Sequence, residues 1–206
     1  MDQDPRTHWQ HVYETKAPTE VSWYQSEPTL SLEFIQATGV SKSEPIIDVG
    51  GGASLLVDCL SSLGYSDVSV LDVSAAALDL AKARMGAAAD KIRWVSHDIT
   101  QFQPDRAFAL WHDRAFFHFL VDPDLRERYL QSLRASLRPG AHVILATFGP
   151  QGPLRCSGLE TQRYSADELS ILLGPTFQLV RRQIEVHSTP SGGSQQFQYG
   201  WWRADA

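Results

Sequence analysis

The sequence predicts an α/β fold: a mostly parallel sheet with helices on both faces that ends in an antiparallel β-hairpin. Three observations carry that expectation. Short apolar runs alternate with helix-like segments through the first 150 residues, the pattern of successive βαβ units. Three consecutive glycines, Gly50 to Gly52, separate the first apolar run from the helix-like segment after it. After residue 176 the period changes to two, as antiparallel strands with one wetter face require.

The elements follow in order. Residues 1–40 are rich in aromatics and poor in strand pattern, so a capping segment is expected there, ahead of a 41–206 core in a single domain. Trp9 and Tyr13 are four apart and share one face if 5–16 is helical, while Trp23 and Tyr24 fall in an extended stretch before Pro28. Apolar runs at 45–49, 67–73, 92–98, 108–113 and 142–148 read as buried parallel strands. Between them Ser54–Leu63, Ser74–Met85 and Pro123–Leu137 read as helices. Ser74 suits the N-cap of the second, and "RPG" at 138–140 is expected to stop the third with its glycine. "FQLVRRQIEVH" (177–187) and "QQFQYGWWR" (195–203), joined by "STPSGGS", read as the terminal hairpin.

Composition excludes several classes. A length of 206 residues suits one domain with a substantial core. A net charge of −6 and a pI near 5.6 argue against a nucleic-acid binder, which shows a basic footprint. Cys59 and Cys156 offer neither zinc spacing nor a disulfide framework, and His8 and His11 lack a third ligand, so no metal site is expected. No run approaches the roughly 18 apolar residues a membrane span needs. The start "MDQDPRTHWQ" has no signal or transit character, so a soluble, cytoplasmic chain without a membrane partner is expected, with a monomer favoured.

In open parallel sheets, ligands bind outside the carboxyl ends of the strands, where strand order reverses. Gly50, Gly51 and Gly52 fall in the first such turn, where glycine permits positive φ and close ligand approach, or simply a tight turn. Asp72, twenty residues after Gly52, ends the second run and is placed to accept from both hydroxyls of a ribose. Asp98, in "HDI" at the end of the third run, could accept from an adenine amino group. The dinucleotide fingerprint G-x-G-x-x-G fails, since its third glycine would be Leu55. A ligand with adenosine but no pyrophosphate fits better.

"IIDVGGGAS", "VLDVS", "VSHDI" and "LRPGAHVILATF" resemble, in order and spacing, the successive motifs of class I S-adenosylmethionine-dependent methyltransferases. The resemblance implies a Rossmann-like sheet of seven strands, and S-adenosyl-L-methionine as cofactor with S-adenosyl-L-homocysteine as product. It also implies Gly50, Gly51 and Gly52 beneath the cofactor, with Ser54 beside them, Asp72, Val73 and Ser74 at its ribose, and His97, Asp98 and Ile99 near its adenine. Asp48 either meets the cofactor's amino group or braces the loop. "HWQHVY", "SWYQ" and "DRAFFHFL" look like a branch that includes lysine methyltransferases acting on targets such as citrate synthase, which puts Trp9, Tyr13 and Trp23 over the cofactor.

Methyl transfer is an in-line displacement in which positioning carries much of the catalysis, and a general base is needed only for a protonated acceptor. "LWHDRAFFHFLVDP" is the expected acceptor-facing stretch. Asp113 is expected to orient an amine there and to touch the cofactor, with His118 as second catalytic candidate and His112 as an alternative. Phe116, Phe117 and Phe119 would wall the pocket or join the core. Arg155, Cys156, Arg163 and His187 are expected to border the cleft. A small-molecule acceptor is favoured over a protein side chain, because no appended recognition domain exists.

Overall fold

The computed structural model describes residues 4–205. Its centre is a seven-stranded sheet built from β1 (Ile46–Val49), β2 (Val68–Asp72), β3 (Arg93–Ser96), β4 (Phe108–Arg114), β5 (Leu137–Phe148), β8 (Phe177–Ser188) and β9 (Ser194–Ala204). The order is β3-β2-β1-β4-β5-β9-β8, parallel from β3 to β5 and antiparallel across β9 and β8. Strand order therefore reverses between β1 and β4, where their carboxyl ends open side by side. The expected α/β architecture and terminal hairpin are both present.

Period-two alternation sorts the strand residues into two cores. Ile46, Val70, Leu110 and Ile144 face α2 (Thr29–Ala37), α3 (Leu56–Ser62) and α4 (Ala75–Met85), which supply Phe34, Leu60 and Leu78. Ile47, Trp111, Val143 and Trp202 face α5 (Pro123–Ser136) and α6 (Ala166–Leu173), which supply Tyr129, Leu133 and Leu169. β1 and β2 are buried throughout, as strands covered on both faces must be. In β8 four residues, Val180, Arg182, Ile184 and Val186, are exposed on one side, consistent with its place at the sheet edge.

Several expected boundaries shift. The segment ahead of β1 holds two helices, α1 (Pro5–Thr15) and α2, where only the first had a visible signal. Ser74 caps α4 as expected, its Oγ accepting from Ala77 N at 3.2 Å. "RPG" does not supply a glycine cap. α5 already ends at Ser136, with Leu137 extended, because Pro139 removes a donor and biases its predecessor away from helix. Gly140 (φ +73) lies inside β5 instead, beside a register shift against β4. Cys156 sits in a short hairpin, β6 (Arg155–Cys156) with β7 (Leu159–Glu160), rather than in an open loop.

Candidate active site between the ends of β1 and β4

The three glycines answer first to their neighbours. Gly50 and Gly52 take φ of +66° and +46°, the left-handed region that L side chains avoid. A Cβ at Gly50 would lie 2.6 Å from Phe116 Cβ, and one at Gly51 would lie 2.5 Å from Asp48 Oδ2. A Cβ at Gly52 would meet Tyr13 Oη at 2.9 Å and Asp72 Oδ2 at 3.1 Å. Each glycine is required by close packing before any ligand is considered.

Asp72 ends β2 beside that loop. Its Oδ1 accepts from Ser74 N at 2.8 Å, and burial pushes its carboxyl up to about 7 against that hydrogen bond's opposing pull. No cationic side chain pairs with it among the described salt bridges. A shallow crevice continues from here between Pro5 and Arg6 of α1 and Val73, His97, Asp98 and Gln101. Asp98 caps the short turn after β3, its Oδ1 accepting from Thr100 N at 2.9 Å. Exposed His97 bonds Asp98 O through Nδ1, and Ile99 points into the core at 2% exposure.

The main cleft has a floor of Gly50, Gly51, Asp48, Ser31, His112 and Arg114, with Ser54 at its rim, and a roof of Tyr13, Trp23 and Tyr24. Register explains the floor: Asp48 of β1 and His112 of β4 are paired neighbours, so their side chains emerge side by side. His112 Nδ1 lies 2.7 Å from Asp48 Oδ1, and Nε2 lies 2.9 Å from Ser31 Oγ. Arg114, two residues along the same face, donates to Tyr199 Oη at 2.9 Å and to Trp23 O at 2.9 Å.

The roof is tied to the floor by the aromatic segment. Gln10 Oε1 accepts from Ser74 Oγ and from Ala76 N, both at 3.1 Å, docking α1 on the N-terminus of α4. Tyr13 stands over Gly52, and burial followed by the charge of Asp72 pushes its phenol up. Trp9 does not line the cleft; its ring packs at 5.7 Å from Trp23 and 4.9 Å from Phe119.

The two expected catalytic side chains are spent elsewhere. Asp113 lies on the opposite face of β4, fully buried, with Oδ2 accepting from Tyr129 Oη at 2.7 Å. Its Oδ1 accepts from Phe116 N and Phe117 N, which folds the chain back over Gly50 through Ala115 at φ +68. Burial pushes that carboxyl up to about 7, yet it presents no oxygen to the cleft. His118 is also buried, stacked 4.1 Å from Phe148. Phe148 N donates to its Nδ1 at 3.1 Å, which leaves the proton on Nε2, and burial lowers its pKa to about 3. Neither residue offers the cleft a base near neutral pH.

Other expectations divide. Phe117 joins the core beside Tyr129, while Phe116 covers Gly50. Cys156 is buried 3.6 Å from Ser22 Oγ, and burial raises its thiol, which removes nucleophilic character. Arg155 donates to its own hairpin at Gly158 O, and His187 Nε2 lies 2.9 Å from Ser22 O, steadying the roof. Ser31, Arg114 and Gln10 carried no signal in the sequence. Among the described residues no group of three or more His, Cys, Asp or Glu could hold a metal ion, and no helix is long and apolar enough to cross a membrane.

Residues 46–140 match the methyltransferase domain family. No curated protein matches the chain in sequence. Among solved structures, a SAM-dependent methyltransferase from Anabaena variabilis superposes with a TM-score of 0.78 at 19% identity, over 98% of this chain and 96% of that one. The Burkholderia thailandensis 1,6-didemethyltoxoflavin-N1-methyltransferase, with bound 1,6-didemethyltoxoflavin and S-adenosylhomocysteine, gives 0.73 at 19%, over 98% and 87%. The N-methyltransferase NodS from Bradyrhizobium japonicum, with S-adenosyl-L-homocysteine, gives 0.73 at 14%, over 98% and 100%.

Proposed function

We propose that the chain, whose residues 46–140 match a methyltransferase domain, is an S-adenosylmethionine-dependent methyltransferase that methylates a nucleophilic N, O or S atom of a small molecule. The observation that carries this reading is the roofed cleft. Tyr13, Trp23 and Tyr24 close over Gly50, Gly51 and His112 at the carboxyl ends of β1 and β4 and leave only a narrow space between them. Such a space suits a compact acceptor better than a folded protein surface. Likeness to the enzyme that binds 1,6-didemethyltoxoflavin supports the same reading.

The residues present fit the cofactor. Asp72 is a buried carboxylate without a cationic partner among the described residues, suited to accept from ribose hydroxyls next to the crevice lined by Val73, His97 and Asp98. Gly50 and Gly51 leave backbone without side chains against the cleft, with Asp48 and Ser54 beside them. S-adenosylmethionine, when bound, supplies a methyl group activated on a sulfonium. Tyr13 and Trp23 then serve to exclude water and hold the acceptor in line, where effective molarity is the main source of rate.

Incubation with methyl-labelled S-adenosylmethionine and two acceptor pools tests the proposal. Label is expected in a low-molecular-mass cell extract. Label confined to the protein fraction would replace the small molecule by a protein side chain. A melting temperature unmoved by S-adenosylhomocysteine would point to a binding module that has lost catalysis.

A further inference from the structure

Five side chains from four elements form one hydrogen-bonded chain along the floor of the cleft. Arg114 Nε donates to Tyr199 Oη at 2.9 Å, and Tyr199 Oη lies 3.3 Å from Ser31 Oγ. Ser31 Oγ lies 2.9 Å from His112 Nε2, and His112 Nδ1 lies 2.7 Å from Asp48 Oδ1. The two ends decide which way every proton points, because a guanidinium only donates and a carboxylate only accepts. Tyr199 therefore donates to Ser31, Ser31 donates to Nε2, and Nδ1–H donates to Asp48. Neutral His112 is the Nδ1–H tautomer, with its basic Nε2 aimed at the Ser31 hydroxyl.

Ser31, His112 and Asp48 are 1%, 2% and 4% exposed, yet all three line the cleft beside Gly50 and Gly51. A Ser–His–Asp order with one-way polarity is the arrangement that lets a hydroxyl pass its proton to an imidazole. We propose that His112 is the proton acceptor of the methyl-transfer reaction, reached through the Ser31 hydroxyl and held in its tautomer by Asp48. The substrate class follows: acceptors with a removable proton on the atom methylated, a hydroxyl, thiol or N–H.

The inference rests on the methyltransferase reading, and its proton and electron balance is simple. The acceptor's proton moves to Ser31 Oγ while the hydroxyl's own proton moves to His112 Nε2. The electron pair left on the acceptor atom forms the new bond to the methyl carbon, whose bond to sulfur breaks with its electrons kept by sulfur. The imidazolium so formed is held between Ser31 and Asp48 until solvent removes its proton. Tyr199 and Arg114 are positioning residues that keep the Ser31 lone pair engaged and its proton directed at Nε2.

The groups facing His112 are Asp48 from β1, Ser31 from α2 and, within β4, Arg114; Asp113, on the opposite face of β4, acts on it only through its charge, and Tyr199 from β9 stands behind Ser31. Asp72 of β2 interacts with Asp48, and Glu185 of β8 pairs with Arg114. Because Asp72 and Asp113 are both pushed up to about 7, a pH limb in the rate cannot by itself be given to His112. Variants separate them. With methyl-labelled S-adenosylmethionine and the low-molecular-mass extract, wild-type transfer is expected to fall with acid along a one-proton limb. His112→Asn should lower transfer about 100-fold at pH 7 and erase the limb, and Ser31→Ala should lower it about tenfold. A His112→Asn variant that retains both the limb and the rate would overturn the proposal. Ring-nitrogen NMR of the 15N-histidine-labelled wild-type chain adds a readout independent of turnover and of variant folding. The expected signal is an Nδ1–H tautomer at His112 that gains its second proton on Nε2, and an Nε2–H tautomer would sink the idea. Wild-type chain that is stabilised by S-adenosylhomocysteine yet labels nothing in the extract would instead count against the small-molecule reading, with the NMR spectrum still deciding the fate of His112.

Discussion

Asp72 shows how one residue couples stability to function. Its folded-state carboxyl is raised to about 7 from an ordinary 3.8, so the folded chain holds the proton more tightly than the unfolded one. The stability tied to that proton is complete below about pH 4, is lost as pH rises towards 7, and changes no further above it. Asp72→Asn keeps an acceptor for Ser74 N and removes the buried charge. At pH 8 this variant should be more stable than wild type by on the order of 2 kcal/mol, with no gain at pH 4.5, as melting curves at the two values would show. Its affinity for S-adenosylhomocysteine should fall at the same time. A variant stabilised equally at both pH values would mean that the charge of Asp72 is not the cause. Gly50 gives the complementary case: Gly50→Val combines a left-handed φ with a collision against Phe116 Cβ, so about 2–5 kcal/mol of stability should be lost in denaturant titrations even without ligand. A variant with wild-type stability and weakened cofactor binding would return that glycine to a purely ligand-facing role.

Of the six α-helices, α1 buries the fewest of its described residues. Val12 is its only buried residue among those described, and its apolar contacts run through Trp9 and Tyr13 to Trp23 and Phe119. Gln10 supplies its polar anchor, accepting from two donors at the N-terminus of α4. Gln10→Ala touches no core residue, so the melting temperature should move by no more than a few degrees, in line with about 1 kcal/mol for such bonds. Amide exchange in 8–15 should accelerate at the same time. If exchange there stayed as slow as in wild type, the anchor would lie in the aromatic contacts instead. β4 presents the opposite extreme, with six of its seven residues buried and both faces committed.

At the scale of the whole molecule, the segment ahead of β1 divides into two parts with different ties. Residues 22–25 are bound to the core by Trp23 O accepting from Arg114, by Ser22 O at His187, and by Gln25 Nε2 donating to Glu185. α1 is tied instead to α4 through Gln10, and its Tyr13 hydroxyl stands over Gly52 next to Asp72, at the proposed ribose site. On the proposed cofactor placement, α1 is expected to move aside for entry while 22–25 stays in place. Deleting residues 1–16 should leave a core that melts within a few degrees of the full chain and binds S-adenosylhomocysteine at least tenfold more weakly, about 1.4 kcal/mol by calorimetry. Hydrogen exchange should show protection of 8–15 rising with ligand and that of 22–25 high throughout. Full protection of 8–15 in the unliganded chain would make α1 permanent packing rather than a lid.

Much of this molecule was legible along the chain because the signals are local. Apolar runs and their spacing determined the parallel strands, the glycine triplet determined the turn after β1, and the position of Asp72 at the end of β2 followed from counting. The terminal hairpin showed in its period of two. Helices α2 and α6 and the short β6–β7 hairpin were missed, since their patterns are brief and lie in segments dominated by aromatics or turn residues. The chemistry of the cleft was decided only by tertiary structure. Alternation along β4 puts His112 and Arg114 on one face and Trp111 and Asp113 on the other, but nothing local says which face meets the cleft. Pairing of β4 beside β1, with α2 on one side and α5 on the other, turned Asp113 towards Tyr129 and His112 towards Asp48 and Ser31. Ser31, which completes that hydrogen-bonded chain, stands 81 positions from His112, a separation that only packing of α2 against the sheet could close.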